Sequence, residues 1–145
     1  MSKDKLSKIA SLLFGDLEYS TSSLTSALGQ LAKKDISFSQ MLMSIIDAKG
    51  MNDVEVYRRA NIDRRLFSKI RKKKYKPSKQ TALALAIALE LTIEETEHLL
   101  AYAGYSLSPT HSFDVIVAHS IRRGRYDINK INEVLHQYEQ PLLGG

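Results

Sequence analysis

Cysteine is absent from the 145 residues. That excludes disulfides and any cysteine-ligated zinc or iron–sulfur centre, and it fits a reducing compartment. Long apolar runs are also missing. The longest, Ala82–Leu89, has eight residues, whereas a membrane-spanning helix needs about 20. Lys3, Lys5 and Lys8 ahead of Ile9–Phe14 loosely resemble a signal peptide, but Ser11 interrupts the apolar stretch and no small-residue cleavage site follows. The expected location is cytoplasmic, with no membrane contact. The glycines are isolated apart from the Gly144-Gly145 tail, so neither a phosphate-binding loop nor a dinucleotide fingerprint is present. No two of His98, His111, His119 and His136 lie at i, i+3 or i, i+4, which removes a local metal pair. Ser, His and Asp all occur, but nothing orders them into a triad. The sequence therefore carries no enzyme signature, no metal site and no cofactor.

Helical periodicity is what remains, almost from end to end. Alternating strand patterns bounded by turn residues are missing, so the expected class is all-α. Lys3–Phe14 carries Leu6, Ile9, Leu12 and Leu13 on one side, and Thr21–Lys34 carries a Leu24, Leu28, Leu31 seam. This arm, residues 1–36, is expected to pack on the body, pair with another chain or stay partly mobile. From Ser37 the signals sharpen. Ser37 can cap a helix with Phe38, Met41, Leu42, Ile45 and Ile46 on one face, ended by Gly50. Asn52 or Asp53 opens a short second helix with Val56, Tyr57 and Ala60 inward. Asn61, which tolerates positive φ, makes the turn. Asp63 caps a third helix, with Ile62 and Phe67 at the positions of a hydrophobic staple.

Pro77-Ser78 starts a fourth helix, Lys79–Glu90, apolar nearly all round and therefore central. Thr92 and Glu95 form a capping box for a fifth, which ends at Gly104. His111–Arg123 and Ile128–Tyr138 read as two further helices, stopped by Gly124 and Pro141. Leu142–Gly145 read as a plain flexible end rather than a conjugation tail. The expected organisation is an N-terminal helical arm over 1–36, a five-helix bundle over 37–104, and a helical extension over 105–145 packed on that bundle.

The net charge of +5 is unremarkable until it is resolved along the chain. Between Arg58 and Lys79 lie eleven positive residues and one acid, Asp63, so that window carries +10 and the other 123 residues carry −5. Such a field attracts polyanions. At 100° per residue, Leu66, Phe67 and Ile70 share one face of the third helix, while Arg65, Ser68 and Lys72 point the opposite way, flanked by Arg64 and Lys69. A short helix, a tight turn and a helix of this kind make a helix-turn-helix, whose second helix enters the major groove. A solvated charged face is the plainer reading of any Lys/Arg run; the concentration and placement of this one favour nucleic-acid contact.

On these residues the sequence resembles the lambda-repressor/Cro (XRE-type) helix-turn-helix domain over residues 41–95. Gly50-Met51 resembles the Gly-Leu that ends the family's first helix. Phe67-Ser68-Lys69-Ile70 matches its Ile-Ser-x-Ile pattern, and Lys76-Pro77-Ser78 matches the Pro-Ser opening the fourth helix. Leu85-Ala86, Ala88-Leu89, Leu91-Thr92 and Glu94-Glu95 continue the match. The resemblance implies a lambda-repressor-like five-helix bundle, here with extra N- and C-terminal helices, used for operator binding and commonly as a homodimer. Three positions depart from the pattern. Asp53 stands where a phosphate-contacting Gln is frequent, Asn61 where Gly is usual, and Arg71 where Glu is usual.

A second resemblance is longer. Residues 37–144 are similar to a helical domain at the C-terminus of some bacterial macrodomain proteins, through Asp53–Tyr57, Ala60–Arg64, Pro77–Lys79, Ala103–Tyr105, Tyr126–Ile128 and Pro141–Gly144. It implies an attached interaction domain.

The first expectation is a DNA-binding transcription regulator of bacterial or phage type. Arg64, Arg65, Ser68, Lys69 and Lys72 would approach bases or adjacent phosphates in double-stranded DNA, and Arg58, Lys73, Lys74 and Lys76 would hold the backbone. The alternative is a helical protein–protein interaction module whose basic face meets an acidic partner. RNA binding is a third option. Tyr57, Tyr75 and Tyr126 lie in or near basic stretches and either stack on bases or pack on neighbours. Arg122, Arg123 and Arg125 form a second basic cluster.

Overall fold

Polar side chains ahead of each apolar segment set where the helices begin. The computed structural model describes residues 36–145. Among them are seven helices and no strand: α1 Phe38–Lys49, α2 Asp53–Arg59, α3 Arg64–Ile70, α4 Lys79–Ala88, α5 Ile93–Tyr102, α6 Ser112–Arg122 and α7 Ile128–Gln137. The all-α expectation holds for this part. The two segments expected before residue 36, with their leucine seam, lie outside the described residues.

Six of the seven starts are capped by a side-chain oxygen: Ser37, Asn52, Asp63, Ser78, Thr92 and Asp127 each accept a backbone N–H from the first turn. Ser37 and Thr92 complete reciprocal capping boxes with Gln40 and Glu95. Only α6, preceded by His111, lacks a side-chain cap.

Six ends share one pattern as well. The N–H groups of two successive residues turn back onto carbonyls three and five residues earlier, as in Asn61→Arg58 (3.1 Å) and Ile62→Tyr57 (2.9 Å). This is the Schellman closure, and it needs a left-handed residue at its centre. Gly50, Gly104 and Gly124 supply it for α1, α5 and α6, but Asn61 (φ 56°), Glu90 (φ 52°) and Glu139 (φ 57°) supply it for α2, α4 and α7. The helix expected to run from Lys79 to Glu90 therefore stops at Ala88, and α7 stops before Pro141 rather than because of it. The exception is α3. Its last carbonyls lead into the basic turn 71–74, and the carbonyl of Arg71 is taken by the buried Ser39 hydroxyl of α1 at 2.6 Å.

Residues Ser37–Gly145 form one compact unit. α4 is its centre, with every residue from Thr81 to Leu89 buried, as an all-round apolar helix requires. Around it pack α2, α5 and α7; α1 lies on α5, α3 on α2, and α6 bridges α5 and α7. Leu42 and Ile46, Val56, Phe67 and Ile70, Leu99 and Leu100, Val117 and Ile121, and Ile131 and Leu135 converge on this axis. Polar ties fix the later helices to the earlier ones. Buried Asp114 of α6 accepts from Lys79 Nζ (2.6 Å) and from the Ser108 N–H (2.7 Å). The Tyr105 hydroxyl donates to the Pro77 carbonyl, and that of Tyr126 to Leu91, each at 2.8 Å. No described helix is long and apolar enough to cross a membrane.

The expectation of a free tail is corrected. Leu143 is buried in the core, and its N–H and carbonyl are both bonded by the Asn132 amide, at 2.8 and 3.2 Å. The Gly144 carbonyl accepts from Thr81 Oγ1 at 2.9 Å, and the Gly145 N–H reaches the Asn61 carbonyl at 3.3 Å. Composition hid this because a lone Leu-Leu-Gly-Gly has no periodicity. What fixes it is an amide eleven residues away and a hydroxyl on α4.

Candidate nucleic-acid interface

The candidate face is built on α3 from the inside out. Phe67 and Ile70 are buried and seat the helix on the core, and Tyr57 of α2 tilts against Phe67 with ring centroids 5.6 Å apart. At the start of α3 the Asp63 carboxylate accepts the Leu66 N–H at 2.7 Å. Its end is held by Ser39. Leu66, expected on the inner face, is half-buried and lies against the tail, lining a shallow recess with Arg58, Asn61, Ile62 and Gly145. Gly144 passes so close that a Cβ there would come within 2.9 Å of the Asn61 carbonyl. The turn between α2 and α3 is thus closed by its own Schellman bonds on one side and backed by the tail on the other.

With the helix seated this way, Arg64, Arg65, Ser68 and Lys69 are all exposed. The basic turn continues the surface with exposed Lys72, Lys73 and Lys74, and Arg58 is exposed in the last turn of α2. Lys76 is exposed too, but its ammonium lies over the Tyr105 ring, 5.0 Å from the centroid. It is engaged with the loop after α5 rather than with the α3 face.

Among the described residues, carboxylates from outside the basic window pair with Arg59, Arg71 and Lys79 of its eleven cations. Arg71 Nη1 meets Asp53 Oδ2 at 2.9 Å. Arg59 stands 3.5 Å from Glu55 and 3.7 Å from Glu90. Lys79 is turned inward to Asp114. The Asp53–Arg71 contact joins two of the positions at which the sequence departs from the repressor pattern, and their separation of 18 residues leaves no local periodicity to reveal it. The ion pair and the Ser39 cap are the parts of this face that sequence reasoning missed.

The tyrosines are largely used for packing. Tyr57 lies on Phe67, Tyr75 is half-buried against the core, and Tyr126 is bonded to Leu91. Burial, reinforced by the charges of Glu90 and Glu95, pushes the Tyr126 phenol above its usual range. Glu95 is held below the ordinary carboxylate range, chiefly by the Thr92 backbone N–H of the capping box; partial burial opposes this, and Lys49 and the Thr92 side chain add to it. Among the described residues no cluster of His, Asp and Glu could hold a metal ion. His98 instead makes an edge-on contact with Tyr102, 5.3 Å between centroids. Arg122, Arg123 and Arg125 are exposed around the end of α6, where a cation also suits the helix dipole.

No protein-family model, curated protein or solved structure matches this chain.

Proposed function

We propose that the chain binds double-stranded DNA through α3, as a lambda-repressor-like helix-turn-helix protein, and acts as a cytoplasmic transcription regulator. One observation carries the reading. A seven-residue helix is seated on the core by Phe67 and Ile70, and its opposite side presents Arg64, Arg65, Ser68 and Lys69 to solvent, followed directly by Lys72. Arg can read guanine through two parallel hydrogen bonds, Ser can contact bases or phosphates, and Lys neutralises phosphate. The short turn closed at Asn61 and Asp63 sets α2 beside α3, as the motif requires. Lys73, Lys74 and Arg58 extend the contact to the backbone. In this reading two copies would bind half-sites about one helical turn apart.

The test is binding of the full chain to labelled duplex across a salt series, followed by selection from random duplexes. Affinity should fall with a slope of about −0.9 per phosphate contacted, and Arg65→Glu with Lys69→Glu should abolish it. Absence of binding at low ionic strength, or binding insensitive to salt, would sink the proposal.

A second reading is a helical interaction module with an acidic protein partner. The observation favouring it is the first turn of α2, where Asp53 and Glu55 stand and oppose a phosphate. A stable partner recovered with the chain, together with failure to enrich any duplex sequence, would favour this reading over the first.

A further inference from the structure

The first turn of α2 and the end of α3 meet at one edge of the basic face, and their charges are arranged unlike the rest of it. A helix start ordinarily turns a positive end toward an anion. Here Asp53 and Glu55 occupy that end of α2, so the start of α2 offers a phosphate nothing. The nearby cation is Arg71, whose backbone is fixed twice. Its N–H bonds the Phe67 carbonyl at 3.1 Å, and its own carbonyl is held by Ser39 at 2.6 Å. Its guanidinium is then pinned by Asp53 at 2.9 Å, with 53% of the side chain still exposed.

That contact uses one of the guanidinium nitrogens. The group carries five N–H donors in a planar fork, so the remaining edge is free to meet a phosphate oxygen. Two other cations paired among the described residues differ. Lys79 faces a carboxylate buried inside the unit, and Arg59 is shared at longer range between two acids.

Resting on the DNA reading above, we infer that Asp53 is a positioning residue: it holds Arg71 in place as the cation that meets a backbone phosphate at the α2 edge of the face. Two effects compete. The Asp53 charge repels the phosphate, while the pair removes the rotamer freedom that Arg71 would otherwise lose on binding. With Arg71 present the positioning effect dominates; without it only repulsion is left.

The sign of one substitution therefore depends on the other. Full-length protein is titrated by fluorescence anisotropy into a labelled random-sequence duplex at low salt, for the unmodified chain, Asp53→Asn, Arg71→Gln and the double variant. Asp53→Asn should weaken binding to the unmodified background by roughly three- to tenfold, a coupling of ordinary size for neighbours in contact. In the Arg71→Gln background the same change should tighten binding. Arg71→Gln alone should also lower the salt slope by about 0.9, one phosphate. Tighter binding by Asp53→Asn in both backgrounds means the carboxylate only repels, and overturns the assignment. Weaker binding in both means that Asp53 acts independently of Arg71, and overturns it equally. Either result leaves the DNA reading standing, whereas no duplex binding by the unmodified chain removes both.

Discussion

Leu142 and Leu143 are adjacent, chemically identical and near the end of the chain, yet only one should matter for stability. Leu143 is 2% exposed and Leu142 is 49% exposed. Truncating Leu143 to Ala removes three buried carbons, about 2 kcal/mol at roughly 0.8 kcal/mol per methylene-sized group. In a rigid core the unfilled cavity would raise the loss toward about 5 kcal/mol. The segment has no helix to hold it, however, so it can peel away, and the loss cannot exceed its docking energy. Docking rests on the Leu143 side chain, the paired Asn132 bonds and the Thr81 bond to Gly144. An expected loss of about 2 kcal/mol lowers the melting midpoint by roughly 10 °C for a domain of this size. Leu142→Ala should stay within about 0.5 kcal/mol of the unmodified chain. Thermal unfolding of the two variants, followed by far-ultraviolet circular dichroism, makes the comparison. Equal effects, whether both small or both large, would refute the reasoning.

Three further outcomes can be checked by unfolding measurements. Asp114→Ala leaves the Lys79 ammonium, whose side chain is 24% exposed, and the Ser108 N–H without their shared carboxylate; the expected cost is about 3 kcal/mol, and Asp114→Leu with Lys79→Met should recover part of it. Losses that simply add would contradict a coupled pair. Asn61, at φ 56°, should accept Gly with a change of about 0.5 kcal/mol or less and lose about 1–2 kcal/mol on replacement by Val, which fits the left-handed region poorly; equal midpoints in denaturant would count against it. The Glu95 carboxyl is held below its usual range in the folded state, so its contribution is present above the unfolded-state value and is lost as pH falls through the folded one. The stability gap between the unmodified chain and Glu95→Gln should close as the solution is acidified below the ordinary glutamate range, and a gap that stays constant would contradict it.

The legible parts of the fold were those written in local chemistry. Ser37, Asp63, Ser78 and Thr92 mark their helices because an oxygen one residue ahead of a helix has an N–H within reach, whatever the tertiary context. The central place of α4 follows from its composition alone. Helix ends were legible where glycine or Asn61 marks them and misjudged at two glutamates: Glu90 and Glu139 close α4 and α7 with the same backbone bonds as Gly50 closes α1, but a glutamate gives no sequence warning of a left-handed turn. The exposed face of α3 was legible because Phe67 and Ile70 fix its rotation. The surroundings of that face were not, since they come from α1, α2 and the tail through contacts 18 to 84 residues apart in sequence: Asp53 to Arg71, Ser39 to Arg71, and Gly145 to Asn61.

Those long contacts change what the charge count means. Read along the chain, the window from Arg58 to Lys79 carries +10. In the folded unit Asp53, Glu55, Glu90 and Asp114, all from outside the window, stand against Arg59, Arg71 and Lys79. Lys76 lies over an aromatic ring. The cations that α3 and its turn turn outward are fewer than the sequence offers, and they are gathered on one side. Counterion release depends on the phosphates a surface can reach at once, not on total charge. On the DNA reading, a concentrated set around Arg64, Arg65, Lys69 and Lys72 would therefore define a narrower and more oriented contact than eleven scattered charges. On that reading the Asp53–Arg71 pair marks the edge of the contact, because a backbone phosphate displaced past Arg71 toward the start of α2 would meet the Asp53 carboxylate.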